Sequence, residues 1–93
     1  MPSSIASYAE FDVLLMSAIE RVDKLAGEMP EEQAVVSIKN QLAAVYRWTR
    51  NGRRPDQCEK DMLNFGLIAS RFLDQDELCG DLYELASYIT YWE

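Results

Sequence analysis

Glu77, Asp81, Glu84, Tyr88 and Tyr91 stand at spacings of four, three, four and three, so a helix places them in one stripe. Three carboxylates and two phenols in a line could do two kinds of work. Carboxylates act as general acids and bases when a pocket pushes their pKa values apart. A line of acids and tyrosines on an exposed helix also suits a basic protein partner, since tyrosine combines apolar area with a hydroxyl. No second catalytic group accompanies them. The chain has no histidine, which removes the commonest general base and every Ser-His or Cys-His pair. Cys58 and Cys79 make no C-x-x-C, and without histidine they complete no zinc site. Both read as reduced core residues. No catalytic residue, cofactor or metal ligand is assigned, and the chain is not expected to be an enzyme. Two readings of the stripe remain: a solvated acidic face with tyrosines covering the core edge, or a partner-binding site made of Glu77, Asp81, Glu84, Tyr88 and Tyr91.

The partner-binding reading draws on a cost. Acids at i,i+3 and i,i+4 repel by about a few tenths of a kcal/mol each. Residues 74–93 hold six acids and no base, so nothing on this helix relieves them, and Gly80 beside the stripe weakens it further. The opposite charge gathers at Arg47, Arg50, Arg53 and Arg54. Cations suit a helix C-terminus followed by a solvated loop, and an anion or acidic partner is the other use of such a corner.

Four helices would carry these residues. Ser7-x-x-Glu10 is a capping box that opens the first, and Phe11, Leu15, Ala18, Val22 and Leu25 give it one apolar face, with Gly27 as its stop. Pro30 suits the first turn of the second, which aligns Val35, Ile38, Leu42, Val45 and Trp48 and ends at the turn Asn51-Gly52. Asp56-x-x-Glu59 caps the third. Its run puts Cys58, Met62, Phe65, Ala69 and Phe72 on one line, with Leu63, Leu67 and Ile68 widening the apolar arc. Gly66 in mid-helix should cost about 1 kcal/mol relative to alanine, which close approach of another helix would offset. Asp74-x-x-Glu77 is the third cap, and Leu78, Leu82, Leu85, Ile89 and Trp92 form the apolar seam of the last helix. The spacings predict an all-α fold, a compact up-and-down antiparallel four-helix bundle, with helices near 7–26, 30–50, 56–73 and 75–92. Residues 1–93 read as one domain.

Composition narrows the class. The 93 residues are 48% hydrophobic with ten aromatics, enough for one core and against disorder. A net charge of −7 argues against nucleic acid, whose phosphates need Lys and Arg, and favours a basic protein partner. The first residues, MPSSIASYAEFD, have no basic segment ahead of an apolar one, and no stretch reaches the about 20 apolar residues of a membrane span. The expectation is a cytoplasmic protein that binds neither membrane nor nucleic acid.

The run Leu63-Asn64-Phe65-Gly66-Leu67-Ile68-Ala69-Ser70-Arg71-Phe72 resembles a family of small helical bacterial immunity proteins that neutralise type VI secretion effectors, notably NAD(P)+ glycohydrolase toxins. Leu63, Gly66, Ile68, Ala69 and Arg71 carry the likeness, with Glu77-Leu78 in an acid-rich turn, Gln41-Leu42 in the second helix, and Leu25-Ala26 with Pro30. It spans roughly residues 17 to 90. The basic loop Arg50 to Arg54 and the terminal Tyr91-Trp92-Glu93 depart from the family pattern. The resemblance implies a stoichiometric inhibitor of a cognate toxin's catalytic domain, active in the cytoplasm without a cofactor, and it leaves a homodimer open. The alternative is a non-catalytic adaptor or subunit bundle that docks a basic partner through its last helix.

Overall fold

Ser7 starts the first helix as expected: its hydroxyl accepts from the Glu10 amide, while the Glu10 carboxylate reaches back to the amide of Ala6 at 2.8 Å. The computed structural model describes residues 5–73 and 76–92. Its elements are α1 (Tyr8–Glu28), α2 (Gln33–Trp48), a 3₁₀ turn at Arg50–Gly52, α3 (Gln57–Asp61), α4 (Phe65–Phe72) and α5 (Glu77–Tyr91). The described residues are helical or irregular and include no strand. The Cα radius of gyration is 12.3 Å, close to the about 12 Å of a compact folded chain of this length.

The apolar spacings lead inward. Phe11, Leu15, Ala18 and Val22 of α1, Val35, Ile38, Leu42 and Val45 of α2, Phe65 and Ala69 of α4, and Leu78, Leu82, Leu85 and Ile89 of α5 form one buried cluster. Helix α1 packs against α2 and α5, and α4 against α5 and α2. The Tyr8 hydroxyl donates to the carbonyl of Thr49 at 2.6 Å, so the start of α1 is tied to the end of α2. There Asn51 and Gly52 take φ of 65° and 78°, the left-handed region that these residue types tolerate.

Several boundaries differ from the sequence reading. Helix α1 runs through Gly27, which is helical and not a stop, to a cap at Met29. Pro30 lies in the turn before α2, whose N-cap is Glu32. The expected cap at Asp74 lies outside the described residues; Asp76 caps α5, its carboxylate accepting from the Leu78 amide at 2.9 Å.

The largest correction concerns the helix expected over 56–73. Asp56 and Glu59 form the capping box that opens it, but it breaks into α3 and α4 at residues 62–64. The amides of Met62 and Leu63 bond three residues back, to Glu59 and Lys60. The Asn64 amide donates to Gln41 Oε1 at 2.7 Å, and Gln41 Nε2 donates to Asn64 Oδ1 at 2.6 Å. A side chain of α2 thus takes the amide that a continuous helix would have bonded to Lys60, and Asn64 becomes the N-cap of α4. The break resets the helical phase. Met62 is 69% exposed, Cys58 is exposed and Phe72 is only partly covered, while Phe65, Gly66 and Ala69 stay buried. Cys58 is therefore no core residue; it and the half-buried Cys79 are both free thiols.

Gly66 lies where two helices meet. A Cβ added there would stand 3.0 Å from the Ala86 Cβ of α5, tighter than ordinary contact. That close crossing accounts for the glycine in mid-helix.

Candidate functional site

Helix α5 is positioned by its seam of Leu78, Leu82, Leu85 and Ile89 against α1 and α4, which turns the acidic stripe along one border of the helix. The structure divides the five stripe residues. Glu77 is exposed in the first turn, where a negative charge suits the helix dipole. Asp81 is half-buried and forms an ion pair at 2.5 Å with Arg21 of α1. The stripe lacks a base on its own helix, but a base from the neighbouring helix relieves it. Glu84 is half-buried. Tyr88 stacks on Phe11 at 4.8 Å between ring centres and lies 5.1 Å from Trp92, which also meets Tyr8 at 5.8 Å. Its ring closes the aromatic end of the core, and burial pushes its phenol above the ordinary value. Tyr91 is 55% exposed. Glu77 and Tyr91 thus face solvent, while Asp81 and Tyr88 also serve the fold.

The basic corner is likewise engaged. The Arg50 guanidinium is paired with Asp12 of α1 and lies 3.8 Å from the Tyr46 ring centre. Hydrogen bonding to Asp12 raises the pKa of Arg50. Arg53 pairs with Glu59 at 2.8 Å and donates to the Trp48 carbonyl at 3.0 Å. Arg47 and Arg54 are exposed. Two of the four arginines therefore join elements of the fold together.

Sequence periodicity did not single out the surface beside the stripe. Leu67 of α4 and Tyr83 of α5 are each 53% exposed and, with Tyr91, rim a groove floored by Gly66 and Ala86. The helical wheel assigned Leu67 to the apolar arc of an unbroken helix, so its exposure was hidden. Tyr83 had a legible signal: it lies off the seam of α5, where a large aromatic has no core to enter.

Among the described residues, no group of three His, Cys, Asp or Glu side chains gathers where it could hold a metal ion. No helix among them is long and apolar enough to cross a membrane. What the arrangement offers is a surface: acids and tyrosines beside an apolar groove. A family model described as Tsi6 matches residues 11–90. No curated protein and no solved structure matches the chain.

Proposed function

The chain belongs to the Tsi6 family of type VI secretion immunity proteins, and from that membership we propose that it binds and inhibits a cognate secreted antibacterial toxin. The toxin class that fits is an NAD(P)+ glycohydrolase or a related ADP-ribosyl-type enzyme, inhibited by occlusion of its active site. Family membership carries this reading. Charge supports it: a cleft that attracts the phosphates of a dinucleotide is basic, and an inhibitor of net charge −7 complements it. We assign the contact to α5, through Glu77, Asp81, Glu84, Tyr88 and Tyr91, with Glu77 and Tyr91 the most accessible. The inhibitor acts as one domain, without catalysis of its own, in the cytoplasm where its target would be active.

An up-and-down antiparallel arrangement of the long helices belongs to the same proposal. It is supported by Tyr8 lying beside both Thr49 and Trp92 at one end, and by Arg21 meeting Asp81 farther along.

The test is a titration. A cognate toxin domain is purified and its NAD+ turnover followed while the protein is added. Activity should fall to background near one equivalent. Activity that persists at large excess would sink the occlusion reading.

A further inference from the structure

We propose that the groove between α4 and α5, rimmed by Leu67, Tyr83 and Tyr91, seats an apolar side chain of the toxin domain that is flanked by Lys or Arg; this rests on the immunity reading above. The first ground is exposure. Leu67, Tyr83 and Tyr91 are each more than half exposed around a depression of 390 Å³. A second depression of 280 Å³ adjoins it and shares Gly66, Leu67 and Ala86, so the groove runs on across the helix crossing. Clustered exposed aromatic and aliphatic side chains around a cavity are where partner anchors concentrate.

The second ground is Gly80. A glycine in mid-helix costs about 1 kcal/mol relative to alanine. Gly66 has a reason in the close approach of Ala86, but no heavy atom lies within 4 Å of where a Gly80 Cβ would stand. Nothing inside the molecule uses its missing side chain. Gly80 lines neither depression; it is exposed on α5 one turn ahead of Tyr83, the first residue of that helix to line the groove, and one turn ahead of Glu84. A partner backbone laid along the groove would pass close to it.

The third ground is charge. Lys60 lines the adjoining depression and Asp81 is held by Arg21, but Glu77 and Glu84 lie on the Tyr91 side of the groove and α5 itself carries no base. They favour an occupant with cations beside its apolar anchor. They also disfavour a second copy of this chain, because a twofold contact would set the α5 acids of one copy against those of the other.

Three proteins are compared for binding to the purified toxin domain: wild type, Gly80→Gln and Tyr83→Ala. Gly80→Gln adds bulk on the outer face without charge and replaces a poor helix former with a good one. It should unfold at the wild-type temperature or higher, yet bind about tenfold or more weakly. Tyr83→Ala should stay folded, because its ring is largely outside the core, and lose about tenfold as well. If wild type binds and both variants remain within about twofold of it, the groove is not the site and the immunity reading stands. If wild type does not bind the toxin domain, the immunity reading fails and the groove proposal falls with it. A wild-type dimer seen by sedimentation and abolished by Gly80→Gln would identify a second copy as the occupant and overturn the proposal.

Discussion

Asp81 shows how one partner changes the expected effect of a substitution. Taken along its own helix, reversing the acids of α5 should relax repulsion and leave the fold intact or firmer. With Arg21 at 2.5 Å, Asp81→Lys instead removes an attraction and sets two cations face to face. The pair is about a third exposed, so the expected loss is modest, about 0.5–1 kcal/mol in urea unfolding. Adding Arg21→Glu should recover most of it, a coupling that a double-mutant cycle reads directly. Gly66→Leu should cost about 1–3 kcal/mol, since even a Cβ there meets Ala86; an unfolding midpoint equal to wild type would contradict the close crossing. Tyr88 ties stability to pH. Burial raises its folded pKa above the ordinary 10.0, so the folded state holds the proton more tightly than the unfolded chain. That contribution is fully present below pH 10.0, and it is lost as pH rises through the folded value. Urea midpoints should therefore fall on the alkaline side, and Tyr88→Phe should fall less steeply.

At the scale of elements, the joint between α3 and α4 depends on α2. Gln41 makes two bonds to Asn64, one to its amide and one to its side chain. Gln41→Ala should leave α2 helical but release the Asn64 amide. Each exposed bond contributes about 0.5–1.5 kcal/mol at most, so the clearer reading is local: hydrogen exchange at Asn64 should quicken while amides within α1 and α5 keep their protection. Unchanged exchange at Asn64 would mean that the break is set by residues 62–64 alone.

The whole molecule is acidic by −7 and unevenly so, with residues 33–73 net positive between two negative ends. Arg21 with Asp81, Arg50 with Asp12, and Arg53 with Glu59 use part of that charge internally. The exposed Glu77 remains on the surface assigned to the toxin. Association should accordingly slow as salt rises, because rim charges act mainly on encounter. Glu77→Lys should keep the helical circular-dichroism signal, lower the association rate and flatten its salt dependence. An association rate that is independent of salt in both proteins would place the contact away from α5.

Periodicity within the sequence determined that the protein is all-α, most of the residues of α1, α2 and α5 that enter the core (Leu25, Trp48 and Trp92, at the ends of their apolar faces, are only half-buried), where Ser7 and Asp56 cap, and that Gly66 answers a close helix neighbour. These are local properties: a spacing of three and four states the angle of a side chain about its own helix axis. The tertiary structure alone decided the break at residues 62–64, because the group that takes the Asn64 amide sits 23 residues away in α2. The same limit explains the site. The stripe from Glu77 to Tyr91 was legible as a line on one helix, but its division was not. Arg21 and Phe11 come from α1, and they draw Asp81 and Tyr88 into the fold. The exposure of Leu67 and Tyr83 follows from where α4 and α5 cross, a matter of which faces pack together and not of spacing along either chain segment.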